Sequence, residues 1–132
     1  MNKGWNIALW ILQVLLAFAW LGAGFMKATQ PIDQLAAAGM GFVNTFPVWA
    51  VRFIGVSEIA GALGLILPSA LRIKPILTPV AGFALALVMV LAALWHVSQG
   101  EFAALPSNLI LGGLSAFVGW GRLKKAPIAA RS

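Results

Sequence analysis

Four runs of apolar residues, each near the ~20 residues a helix needs to cross ~30 Å of hydrocarbon, constrain this chain more than any other feature. The first extends roughly from Trp5 to Met26, and the second from just after Pro47 to Leu67, before Pro68. The third begins between Pro75 and Pro79 and ends near Val97, and the fourth runs from about Phe102 to Trp120. Only 9% of the residues are charged and 61% are hydrophobic, whereas a soluble domain usually carries about 25% charged residues to wet its surface. The expected fold is all-α: an integral membrane protein, built as an antiparallel four-helix transmembrane bundle. It forms a single domain over residues 1–132, with spans at about 5–26, 48–67, 77–97 and 103–120.

Prolines punctuate these runs. Thr78 followed by Pro79 reads as an N-cap and a first-turn proline of the third span. Pro106 is tolerable in the opening turn of the fourth, and Pro68 closes the second. The first run is read as a span and not as a cleaved signal peptide. It is longer than the ~7–15 apolar residues of a signal core, and Gln13 interrupts it.

The distribution of Lys and Arg sets the orientation. Lys3, Arg72, Lys74, Arg122, Lys124, Lys125 and Arg131 all fall on the side of the N-terminus, seven of the nine basic residues. The other side holds Lys27, Asp33 and Glu101 in its connections. Both termini are therefore expected in the cytoplasm, in a bacterial inner membrane. The net charge of +6 comes in short clusters between apolar runs, which marks topology and not nucleic-acid binding. The first outer connection, from Ala28 to Phe46, is long enough for a short interfacial helix. Thr29-Gln30-Pro31-Ile32-Asp33 has a helix-start composition, and Gly39 stops what Leu35 to Ala38 continue. Met40, Phe42 and Phe46 would dip toward lipid or cap the bundle, while Trp5, Trp49, Trp95 and Trp120 fall at span ends, where indoles favour the headgroup zone.

The chain has no cysteine, which excludes disulfides, thiolate metal sites and thiol-relay chemistry carried by this chain alone. One histidine and three acids supply too few ligands for a metal site. With no redox-cofactor motif either, the sequence leans away from an enzyme acting alone, and any redox role needs a partner.

Polar groups inside the spans are the place to look for function, because an ionisable side chain there is costly. The second span carries Arg52-x-x-Gly55-x-x-Glu58-x-x-Gly61, a slanting ladder that puts Glu58 near the midplane. Arg52 stretched over Gly55 would make a strained or water-bridged pair with Glu58, since ~9 Å of rise separates them. A wet pocket around Glu58 is the favoured alternative. Ser57, Gly61 and Gly64, with Gly55 beside them, make a small face where another helix can approach. Gln13 is expected to meet Glu58 in depth, although packing is its commoner role. Lys27, His96 and Asn108 complete a candidate ligand-binding or proton-relay set in the outer half of the bundle. The competing reading is a polar network that fixes helix register, with Lys27 and His96 merely solvated.

At these residues the sequence resembles the DoxX-like family of small four-helix membrane proteins. The matching elements are Gly24-Phe25-Met26-Lys27, then Arg52-Phe53-Ile54-Gly55-Val56-Ser57-Glu58-Ile59-Ala60-Gly61, Gly64-Leu65-Ile66-Leu67-Pro68, Leu77-Thr78-Pro79, and His96 with Gly100-Glu101. The resemblance implies association with respiratory, sulfur-oxidising or oxidative-stress systems, or assistance in assembling another membrane protein. No catalytic role comes with Lys27, Arg52, Gly55, Glu58 or Gly61. Relatives that handle thiols use cysteines, which this chain lacks.

The leading expectation is an accessory or quinone-associated subunit, in which Arg52, His96 or Asn108 donates to quinone carbonyls and Glu58 relays a proton. The partners expected are the bilayer, a membrane or peripheral redox protein and a second copy of the chain, with no nucleic acid. A membrane chaperone or scaffold is the alternative. A small proton-coupled exporter is the third reading, weakened by an arginine that would repel cationic substrates.

Overall fold

The computed structural model describes residues 2–131 and is all-helical, without strands among those residues. Helix α1 spans Lys3–Thr29 and a short α2 spans Ile32–Ala37, followed by a 3-10 turn at Gly41–Asn44. Three further long helices follow: α3 at Val48–Leu71, α4 at Leu77–Ser98, and α5 at Leu105–Lys124 behind a 3-10 turn at Phe102–Ala104. Four of these helices are long and apolar enough to cross a membrane. Their outward faces carry large apolar side chains, with Phe18 and Trp49 each 73% exposed and Leu109 67%. A water-facing protein does not leave so many such groups uncovered, so lipid is the matching solvent.

The helices pack in a ring, α1 on α3, α3 on α4, α4 on α5, and α5 back on α1. One core cluster, with Leu16, Trp20, Leu65, Leu85 and Val118, fills the middle. A second, with Leu35, Val43 and Val51, lies under the long connection and takes Met26, Met40, Phe42 and Phe46 against it. That connection caps one end of the bundle, hereafter the loop end. Helix α2 stops where expected, at Gly39, whose φ of +96° only glycine adopts without strain.

Glycines set the helix spacing. A Cβ on Gly55 would lie 2.5 Å from the Ala28 amide nitrogen and 2.6 Å from the Gly24 carbonyl oxygen, so α1 and α3 touch backbone to backbone. Gly61 and Gly64 give room to side chains of α4, since an added Cβ would meet Leu85 Cδ2 at 2.6 Å and Ala81 Cβ at 2.8 Å. Gly55 belongs to the α1 contact instead.

Two details differ from the sequence reading, and one proline explains both. Pro68 does not end α3, which continues to Leu71. A proline in a helix leaves the carbonyl four residues earlier without a donor, here that of Gly64. The Thr78 hydroxyl donates to that oxygen at 3.0 Å and accepts from Ser69 Oγ at 2.7 Å. Thr78 is thus not the N-cap of α4, a position held by Ile76. Its side chain repairs a neighbouring helix.

Candidate functional site

Where α1 and α3 cross at Gly24 and Gly55, their next turns carry Lys27 and Glu58. Side chains on an α-helix lean toward its N-terminus. Because the two helices run in opposite directions, Lys27 leans down and Glu58 leans up, toward each other across the glycine contact. Lys27 Nζ donates to both carboxylate oxygens, at 2.6 and 2.9 Å. Glu58 is fully buried and the Lys27 side chain is 13% exposed. Glu58 is therefore not surrounded by a wet pocket, and its partner is Lys27 and not Arg52.

Arg52 has a different task. Lys27 precedes Pro31 by four residues, so its carbonyl has no helical donor. Arg52 Nη1 donates to that carbonyl at 3.0 Å and to the Gln30 carbonyl at 2.6 Å. The guanidinium satisfies the orphan end of α1, where a cation also complements the helix dipole. Lys27 joins the two motifs, its ammonium holding Glu58 and its carbonyl held by Arg52.

Gln13 does not meet Glu58. Its Nε2 donates to the Leu65 carbonyl at 2.6 Å, seven residues further along α3, and its Oε1 accepts from Arg122 Nε at 2.7 Å. Arg122, which the sequence offers only as a topology signal, is 2% exposed. It also donates through Nη1 to Asn6 Oδ1 at 2.7 Å and to the Ala126 carbonyl at 2.9 Å. Between these two polar layers Trp20 Nε1 donates to Ser115 Oγ at 3.2 Å.

His96 lies in the last turn of α4, with Nδ1 2.8 Å from Glu101 Oε1. Its neighbour Trp95 packs edge-on against Phe42 and Phe46, at ring separations of 6.3 and 5.8 Å, so the aromatics of the long connection cap the bundle. Asn108, in the first turn of α5, is 9% exposed and its Nδ2 has no hydrogen-bond partner among the described residues. The structure thus joins Lys27, Arg52 and Glu58, sets His96 in its own pair, leaves Asn108 unsatisfied and moves Gln13 to the other half. Ser57 is half-buried on α3.

Asn6, Ser69 and Ser115 escape the sequence reading, and Arg122 and Thr78 enter it only in other roles. A usable signal exists for Asn6, which with Gln13, Trp20 and Lys27 recurs every seven residues and so shares one helix face. The described clefts lie at the end carrying the termini. One of about 220 Å³ is lined by Pro75, Pro79, Arg122, Pro127 and others. Neither Lys27 nor Glu58 lines it.

Fold and site together define a small multi-pass membrane protein whose interior charges are held by one another and by freed carbonyls. The sequence model of the DoxX-like family matches residues 11–118, and the chain belongs to that family. No curated protein and no solved structure matches it.

Proposed function

We propose that this chain is an accessory, quinone-associated subunit of a bacterial inner-membrane redox or oxidative-stress system, with both termini in the cytoplasm. The observation that carries the accessory role is the way the interior charges are used. Lys27 holds Glu58, Arg52 holds two carbonyls, and Arg122 holds Gln13, Asn6 and Ala126. Groups committed in this way fix the bundle and are poorly placed to turn over a substrate. Chemistry then resides in a partner, and the subunit supplies a rigid transmembrane platform and a place for a lipophilic redox carrier. The orientation rests on the seven basic residues at the end that carries the termini.

A scaffold without any ligand is the second reading, favoured by the same internal satisfaction of charge. Proton-coupled export receives less support, because Glu58 is sealed under Lys27. The test is affinity purification of the tagged chain in mild detergent, beside growth of a deletion strain under peroxide. A co-purifying redox enzyme and a peroxide-sensitive deletion are expected. Recovery of the chain with only a client membrane protein, and no stress phenotype, would replace this reading with the scaffold.

A further inference from the structure

Charge is divided unevenly between the two ends of the bundle. The acids Asp33, Glu58 and Glu101 all belong to the loop-end half, while the end with the termini holds seven basic residues and no Asp or Glu. One of those seven, Arg122, lies inside, 2% exposed. Its guanidinium is held by neutral groups: the side-chain oxygens of Gln13 and Asn6, the Ala126 carbonyl and, at 3.4 Å, the Asn6 carbonyl. The face of Trp10, 5.4 Å away, and a place in the last turn of α5 offset part of the charge. No carboxylate pairs with Arg122 among the described residues. A buried charge is normally matched by an opposite one, and an anion is what this end lacks.

Arg122 also lines the cleft of about 220 Å³ at this end, many times the ~10–15 Å³ that one water needs. Ile76 and Pro79 at the start of α4 form one wall, Leu123 of α5 a second, and Ile128 of the segment after α5 a third. That segment is folded back onto Arg72, whose Nε donates to the Ala129 carbonyl at 2.8 Å and whose carbonyl accepts from the Arg131 amide at 2.9 Å. Arg122 carries the only charge among the lining residues. Ile76 and Leu123 are 56% and 40% exposed, as are the apolar faces that meet lipid, so the cleft opens toward the bilayer. Lys74 and Lys124, both exposed, adjoin the lining residues in the chain.

We propose that this cleft binds the headgroup of an anionic phospholipid. Its phosphodiester is drawn to Arg122, and its glycerol and upper acyl chain lie against Ile76, Pro79, Leu123 and Ile128. Basic pockets at the membrane surface of helical bundles suit such headgroups, and the apolar walls suit a lipid better than a free phosphate. The donor left over on Arg122 is Nη2, whose one contact is the long one at 3.4 Å. The site needs neither the quinone reading nor a choice of which side of the membrane the termini face.

The experiment uses the full chain, stripped of lipid in a non-ionic detergent. It is titrated with dioleoyl phosphatidylglycerol or with zwitterionic dioleoyl phosphatidylcholine, read by native mass spectrometry and by unfolding temperature. Wild type is expected to hold one phosphatidylglycerol at least ~10-fold more tightly than phosphatidylcholine, about what one or two basic groups supply at a membrane surface, and to be stabilised by it. Ile128→Glu places a carboxylate in the cleft. It is expected to abolish the preference while unfolding, without lipid, at a temperature no lower than wild type, because Arg122 gains an anion. Ile128→Trp fills the cleft at unchanged charge and is expected to weaken phosphatidylglycerol by a similar ~10-fold. Lys3→Gln, at the same end but outside the lining residues, is expected to keep both affinity and preference. A preference that survives both Ile128 variants, or that falls as far in Lys3→Gln, overturns the site in favour of diffuse attraction to a basic surface. Displacement of the lipid by inorganic phosphate overturns the lipid as occupant. Equal binding of the two lipids by wild type overturns the proposal outright.

Discussion

Replacing Lys27 by methionine removes the charge that faces Glu58 and leaves a carboxylate with no exposure inside the bundle. The magnitude follows from two independent scales. Breaking a buried ion pair by removing one partner costs roughly 3–5 kcal/mol, and inserting a lone charge at the centre of a spanning helix costs about 2.5–3.5 kcal/mol. They overlap near ~3 kcal/mol, a large part of the stability of a small domain. The reverse change, Glu58→Leu, should cost less. The Lys27 side chain keeps 13% exposure near the loop end, and a long ammonium can snorkel toward water where a buried glutamate cannot. Combining Lys27→Met with Glu58→Leu removes both charges and fills the space with apolar atoms, a replacement that is often neutral or stabilising. The assay is unfolding of the purified variants in detergent followed by circular dichroism. The expected order of stability is wild type close to the double variant, then Glu58→Leu, then Lys27→Met. Equal and small losses in both single variants would refute the reasoning, because they would mean that water already screens the pair.

Further outcomes follow from the same geometry. Arg52→Leu should free the carbonyls of Lys27 and Gln30 and cost about 1.5–3 kcal/mol per charged hydrogen bond lost, seen first as faster proteolysis of the 30–47 connection. Gly55→Ala should prevent assembly of the bundle, since its Cβ would lie 2.5 Å from backbone in α1. Gly22→Ala, with nothing within 4 Å of the added Cβ, should gain up to ~1 kcal/mol from helix propensity alone; unfolding in detergent distinguishes the two. Thr78→Val should strand the Gly64 carbonyl beneath Pro68 and cost about 1–3 kcal/mol, measured the same way.

The spans are legible in the sequence because apolar length is a local property, and so is α2, whose stop at Gly39 is written in one residue. Glu58 is legible as a buried acid that needs a partner. Its partner is not, because a lysine closing the first span reads as a loop charge until the Gly24–Gly55 crossing brings the helices into contact. Arg52 misleads for the same reason: it lies near Glu58 in sequence, while the carbonyl that Pro31 strips of its donor lies on another helix. Pro68 ends a helix on local grounds alone, and only the hydroxyl of Thr78, ten residues on, lets α3 continue. Asn108 stands out for its polarity, and its lack of a partner among the described residues is a property of the packed bundle.

On the proposed function, the interior charges brace the bundle and the chemistry lies with a partner. The most direct test is the double variant Lys27→Met with Glu58→Leu, expressed in place of the natural chain and assayed for partner recovery and for growth under peroxide. A folded double variant that recovers the partner and restores wild-type growth is the result predicted here. A variant that folds with wild-type stability yet loses both would contradict the account and make the Lys27–Glu58 pair the working site.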